Sequence, residues 1–256
     1  MADTAYGSHH GTATGAGGTS TSVTPTGTTL DRLLLCRWDA IGTGPPVPTM
    51  STPGWTQFAS QTNDPDDPIA LLKSRTVLWW KIGVAVEPTV TVTYTNTGMA
   101  FQALRVVSFT GDDLSEGPLN VTSAATATST SYTPTPPAAL AIPPSLQVLA
   151  TCGARTFFAV DKIGASPDWF GMTSAGAGSA PLGTLTTVGA ISGEHPSANW
   201  SFALAYRHAA APVTPTIERL SDSLAIATTA IQFLLRSGPI PPVSVPTGEI
   251  GIYVRA

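Results

Sequence analysis

A chain of 256 residues with Lys+Arg 12 and Asp+Glu 16 is charged at 11% of its positions, against about a quarter in an ordinary soluble domain. A net charge of −4 and a pI near 5.4 offer no basic field to phosphates or anionic lipid headgroups, which argues against nucleic-acid binding and electrostatic membrane attachment. Gly 24 and Pro 23 interrupt the chain too often for long helices, so short strands joined by turns are expected.

Residues 1–28 consist mostly of Gly, Thr, Ser and Ala, with one charged residue, Asp3. Such a segment cannot bury enough apolar area to fold alone. It is expected to be an extended arm that gains order by lying against a partner, its contacts there offsetting chain entropy. No basic stretch followed by an apolar core marks a secretion signal, so use without export is the expectation.

Residues 30–38 (LDRLLLCRW) form an apolar run of strand length, and residues 55–62 (WTQFASQT) a second strand. Residues 76–86 (TVLWWKIGVAV) place Leu78, Trp80, Ile82, Val84 and Val86 on one face by the two-residue period of a strand. After Pro88, residues 89–95 (TVTVTYT) alternate strictly, Val90, Val92 and Tyr94 inward and threonines outward, as in a half-solvated antiparallel strand. Residues 100–110 (AFQALRVVSFT) follow and end at the turn Gly111-Asp112-Asp113.

Residues 118–144 read mostly as loop, with at most one strand near residues 124–132. The uncharged run 119–154 is no bilayer span, because Pro134, Pro136, Pro137, Pro143 and Pro144 interrupt it. Strands are expected again at residues 146–152, 156–160, 183–191 and 198–208, the last with Trp200, Phe202, Leu204 and Tyr206 on one face. Beyond Pro212, Leu220, Leu224, Ala227, Ile231 and Leu235 have helical spacing, while β-branched Ile226, Thr228, Thr229 and Ile231 favour strands. Strands are the preferred reading, and residues 248–255 (GEIGIYVR) alternate as a closing strand.

About eight to ten strands suffice for two packed sheets. The expected fold is all-β: a jelly-roll-like antiparallel β-sandwich over residues 29–212, with the N-terminal arm 1–28 before it and a C-terminal extension 213–256 of strands or one helix after it.

The order LLLCRWDA, PGWTQFAS, VLWWKIGVAVEPTVTVTY and ALRVVSFTGDD over residues 33–113 resembles a module of tailed-bacteriophage virion proteins, minor tail and related structural proteins. The corresponding residues here are Gly54-Trp55-Thr56, Glu87-Pro88-Thr89 and Phe109-Thr110-Gly111-Asp112. Later strands fit its second half, so the likeness spans roughly residues 30–210. It implies a sandwich fold and a place in the virion, tail-associated or decorating the capsid, assembled in the host cytoplasm, and it names no ligand.

Little in the sequence asks for catalysis. Of the four histidines, His9 and His10 lie in the arm, His195 in a loop and His208 at a strand end. No nucleophile elbow is present, and no expected strand carries two carboxylates at the spacing of a glycosidase pair. Cofactors are expected to be none. The acidic turns Asp64-Pro65-Asp66-Asp67 and Gly111-Asp112-Asp113 could offer oxygens to Ca²⁺, but the ligand spacing of calcium loops is missing and plain turn chemistry is the preferred account. Cys36 and Cys152 sit in apolar runs outside any CxxC pair and read as buried free thiols.

Of six tryptophans, Trp55, Trp80 and Trp200 fall at core positions. Trp79, out of phase with its own strand's core face, and Trp169, in the turn SPDWFG, are candidates for an exposed contact with a neighbouring subunit or a glycan. The expected role is a non-enzymatic virion structural protein anchored by its arm, with other virion proteins as partners, a homo-oligomer such as a trimer, no nucleic acid and no membrane insertion. The alternative is a lectin-like host-recognition module on the particle surface.

Overall fold

A computed structural model describes residues 4–15, 17–27, 29–63, 73–95, 98–111, 114–126, 131–140, 145–155, 161–164, 170–173, 176–181, 199–209, 211–219 and 227–236. A central sheet contains β1 (Ala5–Gly15), β3 (Leu33–Gly42), β5 (Thr56–Asn63), β6 (Lys73–Ile82) and β8 (Met99–Thr110), in the order β1-β8-β3-β6-β5. A small outer sheet contains β2 (Ser20–Val23), β4 (Thr49–Met50) and β7 (Val90–Thr93), in the order β2-β7-β4.

The second large sheet contains β9 (Leu119–Thr126), β11 (Ser145–Arg155), β13 (Phe170–Thr173), β14 (Gly176–Pro181), β15 (Asn199–Ala209) and β17 (Ala227–Arg236), in the order β14-β13-β15-β11-β17-β9. The remaining strands, β10 (Ser131–Tyr132), β12 (Asp161–Gly164) and β16 (Thr216–Arg219), form a three-stranded sheet in the order β10-β16-β12. Pairing is antiparallel in all four sheets.

The expected all-β antiparallel sandwich is the fold, and its central layer is covered on both faces. On one face, Leu33, Leu35, Leu78, Val107 and Phe109 pack against Leu146, Val148, Ala150, Ile231, Phe233 and Leu235 of the second sheet. On the other, Cys36, Trp38, Ala40, Val77, Trp79, Leu104 and Val106 pack against Val23, Val90, Val92 and Tyr94 of the outer sheet. This explains the continuous apolar run in β3: all ten of its residues are buried, and a strand covered on both faces has no side on which alternating polar residues gain. The first half of the chain fills the central and outer sheets, with β1 to β4 alternating between them, and the second half fills the other two.

Two boundaries differ from expectation. The arm expected over residues 1–28 is, where described, part of the fold. β1 pairs along β8 from Ala5 opposite Thr110 to Gly15 opposite Gln102, and β2 pairs with β7. Poor as it is in apolar side chains, β1 gains its order from main-chain hydrogen bonds to its own chain. Where described, the C-terminal segment is likewise no appendage. β17 is an interior strand between β11 and β9, so the helical alternative fails where the β-branched reading holds.

β6 is also shorter than its apolar alternation implies. It stops at Ile82, leaving Val84 and Val86 46% and 85% exposed. A turn intervenes because Gly83 lies against the Thr29 carbonyl, 2.1 Å from where a Cβ would stand, and main-chain bonds join Asp31 and Arg32 to Gly83. The loop expected over residues 118–144 contains β9 and β10. The proline-rich stretch 133–139 then runs as a strap over the second sheet, held by Gln232 Nε2 to the carbonyls of Pro134 and Thr135, by Thr122 and by Asn120.

Candidate functional site

Charged side chains in this chain are few, and three of them meet inside it. Arg37 and Asp39 on β3 and Arg105 on β8 point between the central and second sheets and are 2%, 0% and 4% exposed. The Arg37 guanidinium stands 2.5 Å from Asp39 Oδ2 and donates to Asp39 Oδ1 at 2.8 Å and to the Thr151 carbonyl. Thr76 on β6 donates to Asp39 Oδ1 at 2.8 Å, and its hydroxyl lies 2.9 Å from that of Thr229 on β17. Strand alternation creates the layer: Leu33, Leu35, Arg37 and Asp39 share one face of β3, so the apolar interface becomes polar along its length.

Arg37 and Arg105 are directly opposite in the β3–β8 register. Burial, then the neighbouring Arg37, pushes the Arg105 guanidinium down to about 9, while Asp39 and Cys152 pull it back up. It remains protonated at neutral pH. Asp39 is enclosed by its donors Arg37 and Thr76, which themselves reach Thr151 and Thr229 of the second sheet, an arrangement that suits a bracing role.

A second joint links two of the motifs that carry the virion resemblance. Lys81 lies 5.8 Å over the Trp55 ring and 2.9 Å from Glu87 Oε2, while Glu87 Oε1 accepts the Val84 N–H at 2.7 Å. Gly54-Trp55-Thr56 and Glu87-Pro88-Thr89 therefore meet at Lys81, and the glutamate closes the turn that ends β6.

The outer sheet presents paired hydroxyls to solvent: Ser22 with Thr91 at 2.8 Å, Thr24 with Thr89 at 2.8 Å and Ser51 with Thr93 at 3.0 Å. This is the outward threonine face that the alternation of residues 89–95 implies, and Val90, Val92 and Tyr94 are buried behind it.

The structure corrects Trp79. That side chain is 2% exposed and packs among the apolar residues beneath the outer sheet, so it is no surface contact. Phase along β6 sets it opposite Leu78 and Trp80 as expected, but that face is covered too. Trp169, His195, the turn 64–67, Asp112, Asp113 and the expected strands at 156–160, 183–191 and 248–255 lie outside the described residues. Among the described residues no three of His, Cys, Asp and Glu gather to hold a metal ion. Cys36 and Cys152 are buried and not joined in a disulfide, and burial pushes the Cys36 thiol far up, which keeps it protonated.

Sequence reading missed the buried layer and the Lys81 joint. Arg37 and Asp39, two apart within the most apolar run, were the available signal for the first. No family model, no curated protein and no solved structure matches this chain.

Proposed function

We propose that the protein is a non-enzymatic structural protein of a tailed-bacteriophage particle, borne on the tail or the capsid exterior. One observation carries this reading: two motifs of the virion resemblance converge on a joint, Lys81 over Trp55 and against Glu87, that braces a turn between the central and outer sheets. The buried layer around Arg37 and Asp39 supports it, because Arg37 donates to the Thr151 carbonyl and Thr76 meets Thr229, tying the central and second sheets together from within. The outer sheet adds an uncharged, hydroxyl-covered face suited to close packing among other virion proteins.

The glycan-binding alternative loses Trp79 to the core and retains only Trp169 of its two aromatic candidates. Antibodies raised against the purified chain should label intact, gradient-purified particles at fixed positions on tail or shell. Signal confined to soluble lysate, with bare particles, would overturn the proposal.

A further inference from the structure

β1 is the edge strand of the central sheet, and β8 is its one ladder partner among the described strands. Its hold is mostly main-chain, because Tyr6 is its one large apolar side chain. That ring stacks on Tyr206 at 5.6 Å and meets Phe109 edge-on at 6.2 Å. Around it, Ser8 N–H donates to Ser108 Oγ at 3.1 Å, Arg32 reaches Ser8 Oγ at 3.3 Å, and the Thr26 N–H donates to the His10 carbonyl at 2.8 Å. The slot that receives β1 is thus built from β8, β15 and residues 26–32.

β1 belongs to the central sheet and β2 to the outer one. Between them Gly17 and Gly18 hold φ of 72° and 88°, a left-handed turn that glycine enters and leaves without steric penalty. Straightening it would carry β1 away from its own β8 and leave β2 paired with β7.

We propose that β1 is an exchangeable strand, able to leave its own slot and fill the same slot on a second copy of this chain. Every contact named above is remade between copies in that arrangement, so exchange changes little beyond the turn at Gly17 and Gly18 and the loss of independence of two chains. An unpaired β8 edge would otherwise present its N–H and C=O groups to water, and a neighbour's identical strand satisfies them in the same register. The inference rests on the reading of the chain as a subunit packed beside its own copies, and it names the means by which copies are joined.

The test uses the full chain in two single-cysteine additions, Ala5→Cys and Thr110→Cys, at positions that face each other in the β1–β8 register. Neither variant can close the bond alone, and both native cysteines are buried. The two are mixed at high concentration, oxidised and analysed by peptide mass spectrometry. Exchange predicts a covalent heterodimer linked through positions 5 and 110, rising with concentration. The double variant A5C/T110C, diluted, should close within one chain and reports the register. Closure in the double variant with no 5–110 link in the mixture would overturn exchange, and no closure in either would overturn the slot itself. Either failure leaves the particle-labelling result untouched, so the two readings are tested separately.

Discussion

Arg37 and Asp39, two residues apart on one strand, form an ion pair sealed between two sheets, with Nε and Oδ2 2.5 Å apart. Breaking such a pair from one side leaves a buried charge without its counter-ion, which costs about 3–5 kcal/mol. Asp39→Asn should therefore lower unfolding free energy by that amount in urea titration. Arg105→Met removes the second cation of the layer but leaves Arg37 and Asp39 paired, so it should cost less than Asp39→Asn. Equal losses for the two variants would contradict the placement of Asp39 as the anion shared by the layer.

Gly117 sits at φ 70° with a virtual Cβ 2.4 Å from the Trp80 ring, whereas Gly18 sits at φ 88° with its nearest neighbour 3.8 Å away. An alanine strains the backbone at both positions but strikes a ring only at the first. Gly117→Ala should lower stability by about 1–3 kcal/mol, and more than Gly18→Ala. The comparison needs only the midpoints of thermal unfolding.

Trp79 supplies a test of the covered face. Truncating a buried tryptophan to alanine costs about 3–5 kcal/mol, whereas Val86→Ala, at a residue 85% exposed, should stay within about 0.5 kcal/mol. A Trp79→Ala variant as stable as the parent would return that ring to the surface.

His9 gives the fold an acid limb. Burial first, then Arg105 and His10, lowers its pKa, with the Gly11 backbone acting in the opposite sense. In the unfolded chain it titrates near its ordinary value of about 6.5. Above that pH both states are neutral there and His9 contributes no pH dependence. As the pH falls below it, the unfolded chain takes up a proton that the folded chain resists, so stability is lost from there down to the lowered folded value. His9→Gln should flatten this part of the profile, seen as a smaller drop in urea midpoint between pH 7.5 and pH 5.5. An unchanged drop would assign the acid limb to other groups.

Particular residues show how far the sequence was legible. Val90, Val92 and Tyr94 were read correctly because alternation against threonine marks one wet and one dry face. The apolar continuity of Leu33–Gly42 marks a strand but does not reveal that the sheet is covered twice, and the position of Trp79 is illegible for that reason. The composition of Ala5–Gly15 implies an arm because composition reports side-chain burial, whereas this strand is held through its backbone. Val84 and Val86 kept the right period beyond the strand's end, which was set by the packing of Gly83 against Thr29. The partnership of Arg37 with Thr151 and of Thr76 with Thr229 spans 114 and 153 residues, a separation no local pattern encodes.

The most direct test of the structural role is quantitative mass spectrometry of gradient-purified particles, counting copies of this chain against the major capsid protein. The account predicts a fixed, reproducible number of copies per particle, retained through high-salt washing because little of the surface is charged. A chain absent from particles, or present at a ratio that drifts with each wash, would contradict it.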